Sequence, residues 1–136
     1  MFNQVDHIAI AVRNTDKALK LYRDKLGLPV LFQQQHPDQP LLMTHLDMGN
    51  VQLQLLQPLV DDHPVAKWLD EHGEGLHHLC FFVDDANQTI ATLPTTGLAP
   101  ASAQAGGGPN GRQAAFIDKA SSNGVLFEFT SEPSSE

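Results

Sequence analysis

The chain reads as an α+β fold built from two βαβββ modules, and three observations lead there. First, a start signal occurs twice: VDHIAIAV from Val5 and LHHLCFFV from Leu76 are apolar runs with a histidine in third place. Laying His7 on His78 sets an offset of 71 residues (78 − 7). Second, each run is followed by residues that cap, fill and stop a helix. Third, each helix is followed by apolar segments parted by turn residues, the mark of successive strands.

In the first module the helix lies in NTDKALKLYRDKLGLPV, with Asn14 or Thr15 as its cap. Ala18, Leu21, Tyr22 and Lys25 follow the i, i+3, i+4, i+7 spacing, and Gly27 stands where the helix should stop. The strands LPVLFQQ, LLMTHLDM and VQLQLL follow, separated by His36–Pro40 and by Gly49-Asn50. DDHPVAKWLDEHG then reads as a linker helix over 62–72, capped by Asp62 or His63, with Pro64 in its first turn and Val65, Trp68 and Leu69 as its apolar stripe.

The second module repeats the order. Asp84 or Asp85 caps a helix with Ile90 and Leu93 inward and with Pro94 and Gly97 as its stop. LAPASAQ is a poor strand, while RQAAFID and GVLFEF are better ones. AGGGPNG (Ala105–Gly111) is expected as a mobile loop, and the tail SEPSSE as a frayed end. The expected organisation is one domain over 1–136, with modules 1–60 and 74–131.

Composition narrows the function. Hydrophobic residues make up 41% and charged ones 18%, ordinary values for a globular domain. A formal charge of -8 with only 8 Lys and Arg, in no cluster, argues against nucleic acid. No apolar run reaches the roughly 20 residues of a membrane span, so no membrane partner is expected. The first residues lack the pattern of an export signal, and Cys80 is the only cysteine, so a reducing cytoplasm is expected.

Strand alternation then sorts the polar residues. In the first run Ile8, Ile10 and Val12 share a helix-facing side, leaving His7, Ala9 and Ala11 opposite. In the second, Leu79, Phe81 and Val83 leave His78, Cys80 and Phe82 opposite. The last strand of each module sets Gln54 and Glu128 on that opposite side. Gln52 and Gln57 are expected to face solvent. His77, the rival of His78, matches Asp6 and points to the helix side, which suggests a structural role. Each module thus offers one histidine and one Gln or Glu on the face away from its helix. Two imidazoles, an amide oxygen and a carboxylate suit a divalent ion with N and O ligands: Mn, Co, Ni, Fe or Mg ahead of a structural Zn.

These modules, with DHIAIAV, LQLLQP, GLHHLCFFVDD and GVLFEF, resemble the vicinal oxygen chelate superfamily, and the likeness spans nearly the whole chain. It is strongest to the methylmalonyl-CoA epimerases, through Pro64–Asp85 and Val51–Leu59. The resemblance implies a U-shaped, nearly closed mixed sheet around a metal held by His7, Gln54, His78 and Glu128. It implies an isomerase that transfers a proton through a metal-stabilised enolate, on an acyl-CoA or thiol conjugate, in a homodimer. Glyoxalase I-type lactoylglutathione lyase chemistry, or a non-catalytic resistance or binding protein, are the alternatives. The chain departs from the epimerases at Met43, which stands where they carry a glutamate proposed as base. His45 and Asp47 share the parity of Met43, and His45 is the preferred substitute base, with Glu128 as the other candidate. A second departure is FIDKA (Phe116–Ala120), where epimerases usually show Pro before Lys and this chain has Asp118.

Overall fold

The computed structural model describes residues 1–133. Its internal contacts group the chain into two units: one is His7–His77, and the other joins Met1–Asp6 to the chain from His78 onward. The fold is α+β, with the element order expected from the sequence in each module and no helix among the described residues long and apolar enough to cross a membrane.

In the first unit strands β1 (Gln4–Ala11), β2 (Val30–Gln35), β3 (Leu41–Asp47) and β4 (Gln52–Pro58) are hydrogen-bonded in the order β2-β3-β4-β1. β1 runs parallel to β4, and the other pairs are antiparallel. Parallel neighbours need a crossover, and helix α1 (Thr15–Leu19) with the two strands after it supplies one. Asn14 caps α1 by accepting from the Lys17 N–H at 3.0 Å. Lys20–Lys25 then widen into a π-helical turn, which Gly27 ends in the left-handed region at φ 76°. The turn shifts the helical phase, so Leu21 faces out while Thr15 and Leu19 are buried. The inward contacts come from Ala18, Leu19 and Tyr22, which pack on Ile8, Ile10, Val12, Leu53 and Leu55.

The linker helix α2 (Pro64–His72) belongs to this same unit and covers the opposite face of the sheet. Its Val65 and Leu69, with Trp68 beside them, pack on Ala9, Ala11, Leu41, Met43 and Leu56. His63 is the cap that forms: its Nδ1 accepts from the Val65 N–H at 3.0 Å. Its Nε2 donates to Gln39 Oε1 at 2.7 Å, tying the helix start to the β2–β3 connection.

In the second unit β5 (Gly75–Phe82), β6 (Gly106–Gly107), β7 (Gln113–Phe116) and β8 (Phe127–Ser131) follow the equivalent order β5-β8-β7-β6. β5 and β8 are parallel, as β1 and β4 are. Helix α3 (Ala86–Thr92) is capped by Asp85, whose Oδ1 accepts from the Gln88 N–H at 3.0 Å. Ala86, Ile90 and the following Leu93 bury against Val83, Ala115, Ile117 and Phe129, and Gly97 closes the segment at φ 86°.

Two expectations for this unit are corrected. LAPASAQ forms no strand, only the isolated bridge of Pro100 to Ile117, because proline has no N–H and its small neighbours offer little to pack. The glycine-rich segment supplies the missing strand instead, with Gly106 and Gly107 pairing to Ala114 and Gln113. A Cβ at Gly108 would meet the Ala114 Cβ at 3.3 Å, so a glycine there serves close approach. The last residues of SEPSSE, 134–136, lie outside the described residues.

Candidate metal centre

Each unit carries the same pair of polar side chains in the same register. Gln54 is the β-partner of Ala9, two residues after His7. Glu128 is the β-partner of Cys80, two residues after His78. The parallel pairing thus places a histidine of the entering strand and a Gln or Glu of the leaving strand in the same relative register, on one sheet face, in both units.

In the first unit one sheet face has two ends. Ala9, Ala11, Met43 and Leu56 lie under α2, and beyond them the same face turns polar with His7, His45, Gln52 and Gln54. His7 and Gln54 are buried. His45 pairs directly with Gln54 across β3 and β4, and both its ring nitrogens are engaged. Nδ1 lies 2.8 Å from Gln52 Oε1, and Nε2 lies 3.0 Å from Gln54 Nε2. The ring stacks on Phe32 at 4.4 Å and meets the His7 ring edge-on at 5.5 Å. Gln54 Oε1 is buried and has no hydrogen-bond partner among the described residues.

In the second unit His78 Nε2 lies 3.1 Å from Glu128 Oε1, with side chains only 4% and 13% exposed. Phe116 contacts the His78 ring edge-on at 5.4 Å. Cys80 is fully buried beside this pair, and burial, together with the charges of Glu128 and Asp6, pushes its thiol far above the usual range. It is a neutral packing residue. Arg112 reaches Asp6 at 2.6 Å and Glu132 at 3.3 Å, and lies over the Phe82 ring. Burial alone would lower the Arg112 pKa, but these acidic partners hold it above its ordinary value.

The donors of each unit are of the kind that suit a divalent cation. A buried amide oxygen without a partner costs about 1–3 kcal/mol, which an ion would offset. Two ligand atoms about 2.1 Å from one ion and at right angles lie about 3.0 Å apart, close to the His78–Glu128 separation. Among the other expected residues, Met43 is packed in the apolar cluster, and His77 meets Trp68 edge-on at 5.0 Å, as a structural residue would. Asp118 caps a short 3₁₀ turn by accepting from the Ala120 N–H. The expectation that Gln52 and Gln57 face solvent is wrong. Gln52 holds His45, and Gln57 Oε1 accepts from the Thr15 N–H at 2.8 Å. Gln52 was detectable as the i−2 neighbour of Gln54 on one strand face; Gln57 needed the helix position.

Proteins of similar sequence and structure are known. The chain is 34% identical over 126 residues to the uncharacterized protein YqjC of Bacillus subtilis, covering 93% of this chain and 90% of that one. It is 30% identical over 130 residues to the ethylmalonyl-CoA/methylmalonyl-CoA epimerase of Cereibacter sphaeroides, covering 94% and 97%. A crystal structure of a Streptomyces coelicolor methylmalonyl-CoA epimerase variant in complex with 2-nitronate-propionyl-CoA matches with a TM-score of 0.89 at 29% identity, covering 97% and 96%. The family model of the glyoxalase/bleomycin resistance protein/dioxygenase superfamily matches residues 6–116. Two βαβββ units of equal register, 111 matched residues (6 to 116 inclusive) and epimerase relatives lead to one conclusion: the chain belongs to that superfamily.

Proposed function

We propose that this protein is a divalent-metal-dependent epimerase of a 2-carboxyacyl-CoA, with methylmalonyl-CoA as the first substrate to test, and that His7, Gln54, His78 and Glu128 are ligands of one ion. The observation that carries the reading is the repeated register, Gln54 beside Ala9 and Glu128 beside Cys80, each two residues past a histidine. Epimerase relatives at about 30% identity supply the reaction class.

When bound, a divalent ion supplies Lewis acidity toward the thioester and carboxylate oxygens of the substrate, which makes the C2 proton between them more acidic. The chain supplies the rest. His7, His78 and Gln54 are neutral donors, so Glu128 is the only anion of the set, and the loaded site keeps a net positive charge that favours a dianionic enolate. Glu128 has two carboxylate oxygens, so one can ligate while the other takes the C2 proton. The electron pair of the C–H bond then delocalises onto the thioester oxygen; water on the other face delivers a proton to C2 and inverts it, and Glu128 returns its proton to the hydroxide left in solvent, which closes the balance. Met43 has no basic atom and takes no part in proton transfer.

The test is proton exchange. Purified protein in deuterated water should incorporate deuterium at C2 of methylmalonyl-CoA, lose that ability with a chelator, and regain it with Co²⁺ or Mn²⁺. Metal-loaded protein that exchanges nothing from methylmalonyl-CoA, yet turns over a glutathione hemithioacetal, would move the assignment to the lyase branch. Light scattering of the same preparation checks the homodimer expected from the family.

A further inference from the structure

We infer that His45 is a positioning residue for Gln54, fixing which end of its carboxamide is offered as a metal ligand; the inference rests on the metal reading above. A glutamine side chain can rotate by half a turn and exchange its oxygen for its NH₂ with little change of shape. Only the oxygen can bind a cation. A glutamine ligand therefore needs a partner that distinguishes the two ends, whereas a glutamate does not.

His45 is that partner. The Gln54 amide nitrogen has no lone pair to offer, so at 3.0 Å it donates and His45 Nε2 accepts. The ring proton then resides on Nδ1, where it is donated to Gln52 Oε1 at 2.8 Å. The three side chains form one relay, from His45 Nδ1–H to Gln52 and from Gln54 NH₂ to His45. Its polarity leaves Gln54 Oε1 as the acceptor without a partner among the described residues, at a fully buried position. With the relay reversed, the NH₂ group would be presented instead. Phe32, the β-partner of His45, stacks on the ring at 4.4 Å with planes 18° apart, and His45 is only 2% exposed, so neither ring rotation nor water readily disrupts the relay.

This use of both ring nitrogens also replaces the role expected for His45 from strand parity, that of proton-transfer base. To act as a base, Nε2 would have to give up the amide it orients.

The test uses the full chain, stripped of metal, with Co²⁺ as the probe followed by calorimetry and visible absorption. Gln54→Ala should weaken Co²⁺ binding and alter its spectrum. Unchanged binding there would remove Gln54 from the ligand set, and the metal reading would fail together with the inference. His45→Phe keeps the stack on Phe32 but removes both nitrogens. It should weaken Co²⁺ binding by roughly 10–100-fold, the usual cost of losing a group that orients a ligand. In a Gln54→Glu background, where either rotation presents an oxygen, the same His45→Phe change should matter less than about threefold. Equal losses in both backgrounds, or none in the parent, would overturn the inference while leaving the metal reading intact. Should His45→Phe fail to fold, the parent protein still decides. Long-range proton–nitrogen NMR should find His45 protonated on Nδ1 and bare on Nε2, and the opposite tautomer would overturn the proposal.

Discussion

His78 Nε2 and Glu128 Oε1 stand 3.1 Å apart on neighbouring parallel strands, a basic nitrogen against a carboxylate oxygen with little solvent between them. The same contact is a hydrogen bond to the Glu128 carboxylate in the metal-free protein, and under the proposed function the two groups become adjacent ligands in the loaded one. Glu128→Gln keeps the shape and one carbonyl oxygen but removes the anion. Metal affinity should fall by at least about tenfold and C2 exchange by about 10²–10⁴-fold, because both the charge and the proton acceptor are gone. Metal content by emission spectroscopy and exchange in deuterated water read the two effects separately. Full exchange with unchanged metal content in the variant would remove Glu128 from both roles.

Met43 is 2% exposed and packs with Ala11, Leu56 and the α2 residues Val65 and Leu69. Installing the glutamate that epimerases carry at the matching position should therefore harm this protein. Met43→Glu should cost on the order of 2–4 kcal/mol of stability, the penalty for an unpaired carboxyl among apolar groups. Urea denaturation monitored by Trp68 fluorescence measures it. A variant as stable as the parent would mean that this position is open to solvent or to a charged partner.

His63 caps α2 through a bare Nδ1, and burial, with the neighbouring His36 charge adding, lowers its pKa below the ordinary histidine value. The unfolded chain takes up this proton near pH 6.5, while the folded chain resists it. Its contribution is therefore present in full above about pH 6.5 and is lost as pH falls toward the lowered folded value. His63→Asn keeps a capping acceptor without a titrating group. Between pH 7 and 5 its stability should fall less steeply than the parent's, and parallel curves would contradict the assignment.

Asn14 and Asp85 cap equivalent helices in the two units by the same three-residue reach, to Lys17 N–H and Gln88 N–H. Alanine at either should cost about 1 kcal/mol. The two losses should add, since the caps share no partner. Thermal unfolding should show a drop in Tm of roughly 3–5 °C for each.

The repeated modules, the helix-facing sides of their first strands and the like placement of Gln54 and Glu128, each on the strand beside a histidine-bearing one, were legible in the chain. Strand alternation has a period of two and helix capping spans three residues, so both are local properties of the backbone. The departure at Met43 was legible too, but its consequence was not. Only packing shows that α2 turns back onto the face opposite α1 and makes Met43 a core residue. Strand parity put His45 on the face of Gln54, which fitted a base as well as a positioning residue. The pairing of β3 with β4 sets His45 directly opposite Gln54 with Gln52 within reach of its other nitrogen, and the positioning role proposed above rests on that geometry. Gly106–Gly107 became a strand for a similar reason: the edge of β7 was there to pair with. Pairing register and helix placement are contacts between residues far apart in the chain. A hydrophobic pattern read along one segment carries no information about which partner that segment will meet.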